Sequence, residues 1–369
     1  AQIAANWRGA NRLLALVDKY GVRVFRDAVD DILEYSEKLA RMEISKMPKG
    51  MAEGEDFLDD GGIWDKPIKI HVRVVIDNDE INIDFSGTDK QVKAPVNATR
   101  AVTLSACYFV FKCIIPPIVP SNEGTYRPVR VTTVRGTVVD AVKPFAVAGG
   151  NVETSQRIVD ALFRALSKII PERIPAASQG TMNNISFGGV DPETGKSFTF
   201  YETIGGGFGA RYGKDGVDGI HCHMTNTMNT PVEEIERSYP IMILKYMLRM
   251  DSCGAGKWRG GLGIERVYKI LSPMRVSLLG DRHKYCPWGL KGGYPGAPGE
   301  YLLIRGGKEI KLKSKTTVLL KPGDILVIRT PGGGGYGNPK ERPIELIRDD
   351  LEDEKISIDY VRKYFGKLL

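Results

Sequence analysis

Between positions 8 and 46 apolar residues recur three or four apart: Leu13, Leu14 and Val17, then Val24, Phe25, Val29, Ile32 and Leu33, with Gly21 between the runs. That spacing predicts two packed helices. The period shortens to two in "IKIHVRVVIDNDEINIDFSG", where Asp77, Asn78 and Asp79 interrupt the alternation. A β-hairpin is expected there, with Lys69, His71 and Arg73 on its exposed polar face. "RIVDALFRALSKII" gives the clearest helix, with Ile158, Leu162, Phe163, Leu166 and Ile169 on one face. It begins just after Gly149 and Gly150, where Thr154 or Ser155 is placed to cap it and its first N–H groups point outward. From about residue 260 the texture becomes short β-branched runs, "IERVYKIL", "MRVSLL", "EYLLI", "TTVLL" and "DILVIRT", separated by glycine and proline. These predict a sandwich or partial barrel. "ERPIELIRDDLEDEKISIDYVRKYFG" predicts two short closing helices. The pattern as a whole predicts an α+β fold: mixed helices and sheets over residues 1–255, a smaller β-rich C-terminal unit over 256–335 and a helical tail over 336–369.

Composition narrows the class. A chain of 369 residues with 42% apolar and 26% charged residues is that of a soluble globular protein with two or three cores. Its 42 glycines exceed the usual roughly 7% and come in clusters, which points to special turns and not to a fibrous chain. The net charge of +7 comes from 52 basic residues interleaved with 45 acidic ones, a mixed solvated surface and not a nucleic-acid groove. Lys308, Lys311, Lys313, Lys315 and Lys321 fall on a strand-like segment, where lysines protect a sheet edge. Five cysteines without CxxC spacing, with Cys107 and Cys113 expected as buried thiols, imply a reducing, cytoplasmic setting. The most apolar stretch, residues 101–118, is broken by Lys112 and closed by Pro116 and Pro117, so no membrane span is expected. The opening "AQIAANWRGANRLLALVDKYG" has neither an initial Met nor a signal peptide and reads as mid-protein helix, a piece of a longer polypeptide.

The richest chemistry lies in "YETIGGGFGARYGKDGVDGIHCHMTNTMNTPVE". Gly205, Gly207 and Ala210 follow a strand-like run, but the polar, glycine-broken segment beyond them excludes a dinucleotide fingerprint. "CGAGKW" is no phosphate loop either, since Asp251 replaces its first glycine and Trp258 its Ser or Thr. If residues 219–225 are extended, His221 and His223 leave one face of a strand, suiting a divalent metal to which Asp218 or Glu202 adds oxygen. The alternative is that both histidines are hydrogen-bonded polar residues lining a pocket. "GGNVETSQR", "SQGTMNN" and "MTNTMNTPVE" hold short donors and acceptors beside glycine, either around a small polar substrate or oxyanion or simply in turns. "TPGGGGYGNP" allows close backbone approach, and Tyr336 and Pro339 argue for a fixed turn.

In order along the chain, "AVAGGNVETSQRIVDALFRAL", "PAASQGTMNN", the 201–233 stretch, "GKWRGGLGIER", "DRHKYCPWGLKGG" and "TPGGGGYGNP" resemble the hydantoinase B / 5-oxoprolinase family, which is related to acetone and acetophenone carboxylase subunits. The resemblance implies part of an assembly in which a hydantoinase A-type partner binds ATP and phosphorylates the substrate, while the B-type portion completes opening of a cyclic amide such as a hydantoin, 5-oxoproline or a lactam. Related assemblies carboxylate ketones. A third reading is a non-catalytic assembly module that docks the ATPase subunit through residues 8–46 and 340–366. Family members usually carry an N-terminal portion with His- and Asp-containing motifs, to which a divalent metal is assigned; here it is expected on a separate chain or removed by cleavage. The resemblance assigns catalysis to His221, His223 and Glu202, one histidine being the proton carrier. It assigns substrate contacts to Asn151, Glu153, Ser155, Asn183, Asn184, Asn226 and Asn229, and architecture to Gly205, Gly206, Gly207, Gly332, Gly333, Gly334 and Gly335. Neither nucleic acid nor membrane is an expected partner.

Overall fold

The computed structural model describes residues 1–192 and 194–366. It opens with helices α1 (Gln2–Tyr20) and α2 (Val22–Ser45), separated at Gly21, whose φ of 81° and ψ of 150° end the first helix. A four-stranded sheet follows. Strands β1 (Gly50–Leu58), β2 (Ile68–Asp77) and β3 (Glu80–Asp84) run antiparallel, and β4 (Val129–Thr132) adds in parallel to β3. The predicted hairpin is β2–β3, with Asn78 in its bend at a φ of 46°. Strict alternation along β2 sends Ile68, Ile70, Val72, Val74 and Ile76 to the buried face. Helix α3 (Arg100–Ile114), the short α4 (Glu123–Tyr126) and α5 (Thr154–Leu166) complete this unit, with Cys107, Val110, Phe111, Leu162 and Leu166 in the same core. Helix α5 lies directly on β1 because Gly54 has no side chain: a Cβ there would sit 2.3 Å from the Ala161 carbonyl oxygen.

The second unit is a sandwich. Strands β5 (Asn184–Val190), β6 (Ser197–Thr203), β9 (Met274–Leu279) and β12 (Lys315–Leu320) form one sheet, in the order β12–β9–β5–β6. Strands β7 (Ile241–Leu248), β8 (Ile264–Ile270), β10 (Glu300–Arg305), β11 (Lys308–Leu312) and β13 (Ile325–Arg329) form the other, in the order β11–β10–β13–β8–β7. Phe187, Phe200, Tyr268, Val276, Leu326 and Ile328 fill the space between the sheets, and α6 (Val232–Ser238) adds Ile235. The closing helices α7 (Ile344–Glu352) and α8 (Ile358–Tyr364) pack on Cys253, Ala255 and Leu262.

The fold is mixed α+β, but several expectations are revised. The boundary expected at 255/256 falls between β7 and β8, which pair with each other, while β5 pairs with β9. The apolar cores divide instead between Ile174 and Ile185, because β5 and β6 bury their apolar faces in the sandwich. The two N-terminal helices bury nothing before Ser36. Neither Thr154 nor Ser155 caps α5, since Thr154 donates to the Val96 carbonyl and Ser155 to that of Asn151. His71 is half-buried, with its ring against Gly87 and 3.6 Å from Glu53. Cys113 reaches the surface while Cys107 is buried. Lys308 and Lys311 do lie on an edge strand, yet Lys315 turns inward, 3.5 Å from Asp281. All five cysteines are free. No described helix is long and apolar enough to cross a membrane.

Candidate active site

The joint between the units is built of charge. Helix α5 brings Arg157 and Asp160, β1 brings Asp56, and the turn after β9 brings Asp281 and Arg282, the latter at a φ of 67°. All five are at most 2% exposed. The Arg282 guanidinium donates to Asp56 at 2.9 and 3.2 Å and to Asp160 at 2.7 Å. Arg157 donates to Asp160 at 3.0 Å and to the Gly180 carbonyl at 2.8 Å. Trp288 adds an indole N–H to Asp56 at 3.2 Å. Charges are retained in such a dry place only when each has a partner. Burial by itself would raise the Asp160 pKa, but Arg282, His223 and Arg157 outweigh it and hold the carboxyl down at about 2.

His223 meets this network from the far side. Its Nε2 lies 3.3 Å from the free Oδ1 of Asp160, and its imidazole is 1% exposed. The backbone at His223 is left-handed, with φ 52°, and the Thr225 N–H closes a turn onto the Cys222 carbonyl. Residues 219–225 are therefore not an extended strand, which is why the two histidines do not leave one face together. The rings of Phe163, Phe208 and Phe109 surround the imidazole with centroids 5.6, 5.9 and 6.1 Å away. They line a cleft of about 650 Å³, which Glu172, Arg173, Arg211, Tyr212 and Lys214 complete.

His221 is buried beside Thr203 and Asn229, and neither ring nitrogen completes a hydrogen bond to a protein atom. Burial lowers its pKa, against Asn229 and the Thr203 backbone. Among the described residues no three His, Cys, Asp or Glu side chains are grouped to hold a metal ion. Glu202 is committed to the sandwich core, where it accepts from Tyr268 Oη at 2.7 Å and Arg266 Nη1 at 3.1 Å.

Glu153 and Asn184 form a second buried group. Glu153 Oε1 accepts from Asn184 Nδ2 at 2.8 Å and the Met182 N–H at 3.2 Å, and Tyr201 donates to Asn184 Oδ1 at 2.7 Å. Glu153 Oε2 has no hydrogen-bond partner, and burial, aided by the Asp281 charge, pushes this carboxyl up to about 8. Asn183, at a φ of 48°, donates to Gln179 Oε1 and the Ile204 carbonyl. Asn229 accepts from the Gly205 N–H and donates to Tyr246. Ser155 is buried against its own helix start, and Asn151 and Asn226 are exposed. The expected substrate residues are thus scattered, and of all the expected site residues only the catalytic candidate His223 lines the cleft.

The glycine clusters are where backbones touch. A Cβ on Gly207 would lie 2.0 Å from the Gly261 carbonyl oxygen, and one on Gly333 2.1 Å from that of Phe208. The Gly333 N–H donates to Gly261, and Ala210 donates to Gly334. Gly205, Gly206, Gly332 and Gly335 are similarly close to backbone or to Gln179. Close approach, not turning, is what excludes a side chain here. Tyr336 locks the run by donating to the Pro171 carbonyl and packing on Trp258.

With this geometry in hand, comparison with known proteins is informative. A model of the Hydantoinase B/oxoprolinase family matches residues 1–339. The chain belongs to this family. It is 50% identical over 358 residues to an uncharacterized protein of Methanocaldococcus jannaschii, covering 97% of this chain and 62% of that one. It is 33% identical over 382 residues to a putative D-/L-hydantoinase subunit of a Pseudomonas strain, covering 98% and 63%. Its fold matches ATP-dependent caprolactamase from Pseudomonas jessenii with a TM-score of 0.89 at 27% identity, over 100% of this chain and 65% of that one. The chain therefore spans under two thirds of each. Within this hydantoinase B fold, Asp160, Arg157, Asp56 and Arg282 escaped the motif reading. The available signal was an Arg and an Asp three apart inside the apolar run "RIVDALFRAL", where two charges at helical spacing call for buried partners.

Proposed function

We propose that the chain forms part of an ATP-dependent enzyme that opens a cyclic amide, with ATP handled by a hydantoinase A-type partner, and that His223 is the group that moves the proton. The observation that carries this reading is the Asp160–His223 contact at the wall of the aromatic cleft. A hydantoinase subunit and a caprolactamase among the similar proteins supply the reaction class. In ring opening, a water oxygen bonds to the amide carbon, the carbon–nitrogen bond breaks, and the departing nitrogen takes a proton. An imidazole that accepts the proton from water and returns it to nitrogen serves both halves. Asp160, kept ionised by Arg282 and Arg157, stabilises the imidazolium formed between them. The three phenylalanines shield the pair from bulk water, and the lower local dielectric strengthens that attraction. ATP supplies activation of the amide oxygen.

The test reconstitutes the chain with its ATP-binding partner and the remaining hydantoinase B portion, then follows ADP release and ring opening with a hydantoin, 5-oxoproline and a lactam. His223→Gln is expected to lower kcat by about a hundredfold, the size of a lost acid–base group, while His221→Ala leaves it within a few fold. Full activity in His223→Gln rejects the assignment. Incorporation of labelled bicarbonate into a ketone, without ring opening, replaces the hydrolase reading with a carboxylase.

A further inference from the structure

The joint between the units holds more acids than cations. The carboxyl groups of Asp56, Asp59, Glu153, Asp160 and Asp281 are all on residues at most 2% exposed, and the buried cations that face them are Arg157, Arg282 and Lys315. Arg282 is taken by Asp56 and Asp160, Arg157 by Asp160 with Asp281 beyond it at 3.9 Å, and Lys315 lies 3.5 Å from Asp281. Glu153 and Asp59 are left without a cation of their own. Charge in a dry place is costly unless it is paired, so these are the carboxyls that keep their protons longest as pH rises.

Asp59 is also the carboxyl that ties the units together. It follows β1 of the first unit, and its oxygens accept the backbone N–H groups of His283, Lys284 and Tyr285 in the second, at 2.7, 3.1 and 3.2 Å. In return its own N–H donates to Asp281 Oδ1 at 2.8 Å. The two carboxyl groups are in hydrogen-bond contact, yet Asp281 Oδ2 receives no donor from the described residues, and a proton on Asp59 supplies one. The other groups nearby add no charge that could replace it. Burial pushes His283 down to about 4, keeps the protons on Tyr301 and Cys286, and Lys284 at the rim is committed to Asp60 and Asp65. Burial, and after it the Asp281 charge, pushes the Asp59 carboxyl up to about 7, against Lys315 and the His283 N–H.

We infer that Asp59 and Asp281 share one proton across the joint, and that losing it loosens the hold of the first unit on the 283–285 turn. The proton belongs to the pair and not to either residue. An opening that parts the two carboxyls returns Asp59 to its ordinary value near 3.8. The hold is therefore complete below pH 3.8, and the open state binds fewer protons from there to about 7. Across that window opening grows about tenfold per pH unit, and above it the growth levels off.

Hydrogen exchange of the 283–285 amides in the full chain, corrected for the intrinsic rate, tests this. Protection is expected to fall about tenfold per pH unit up to pH 7 and to be flat beyond. In Asp59→Asn the slope is absent. Lys315→Met is expected to move the levelling point up by about one pH unit and Asp281→Asn to move it down by about as much, as the loss of an opposite and of a like charge requires. An infrared titration of Glu153→Gln, which keeps the pair intact, should show the absorption of a protonated buried carboxyl vanishing in one step near pH 7. A slope that survives Asp59→Asn, shifts of the same sign in the Lys315 and Asp281 variants, or an infrared spectrum without that step overturns the inference.

Discussion

Helix α5 and helix α1 reverse what their sequences advertise. Helix α5 begins Thr154, Ser155, Gln156, Arg157 and includes Asp160, yet all five are completely buried; α1, richer in leucine and carrying Trp7, buries nothing. The difference lies in the surroundings. Each polar group on α5 has a destination: the carbonyl of Val96 for Thr154, of Asn151 for Ser155 and of Cys222 for Gln156, and carboxylates for Arg157. Among the described residues helix α1 meets mainly the adjoining α2, which leaves its apolar side uncovered. Burial follows from what the rest of the fold brings to a helix, and polarity only determines what must be brought.

Removing a destination should break the comparison most severely. Arg282→Met leaves Asp56 and Asp160 buried with Arg157 as their one remaining arginine, an uncompensated charge expected to cost about 3–5 kcal/mol. Arg12→Met on α1 should stay within about 0.5 kcal/mol of wild type, as exposed charges do. Chemical denaturation with unchanged m-values measures both. Equal midpoints would mean that the joint between the units does not depend on its ions.

The legible parts of the sequence were those written in local periodicity. The hairpin at Ile68–Asp84, the helix at 154–166 and the closing helices could be read because each repeats within one or two turns. The β5–β9 pairing could not, since it joins residues about 90 apart and no local pattern encodes it. The same holds for the site. His223 stood out as a motif residue, but its partner Asp160 lies in a helix 63 positions earlier and reads as part of an apolar run. Glu202 looked catalytic and Asn229 like a substrate contact because polar residues beside glycine resemble a pocket; their hydrogen bonds go to Arg266, Tyr268 and Tyr246. The glycines were recognised as structural for a reason only partly right, since those at 332–335 serve backbone contact and none has a positive φ.

A smaller effect should sharpen the account of buried polarity. Glu153 has its carboxyl raised to about 8 from 4.5. In the unfolded chain it ionises near 4.5, so between about pH 4.5 and 8 the unfolded state binds fewer protons. Its contribution to stability is therefore complete below 4.5 and declines as pH rises toward 8. Glu153→Gln cannot ionise and keeps an acceptor for Asn184 and the Met182 N–H. It should remove that part of the slope and be the more stable form at pH 8 by about 1–3 kcal/mol. Thermal unfolding across pH 5–9 tests this, and parallel curves for the two proteins would show that Glu153 does not titrate differently in the folded state.

The smallest effect is the most diagnostic of α1. Gly9 sits inside that helix with nothing within 4 Å of the position its Cβ would take. Alanine there meets no clash and removes the entropic cost of glycine in a helix, a gain of about 0.5–1 kcal/mol. Because α1 meets mainly the adjoining α2 and buries no side chain, the gain should appear as slower hydrogen exchange of α1 amides, while the global unfolding midpoint stays in place. A helix that opens on its own cannot pass its stability to the core. A midpoint that rises by the full amount would instead mean that α1 unfolds together with the rest of the chain, and that its exposed face is coupled to the body by contacts beyond those of a single helix in water.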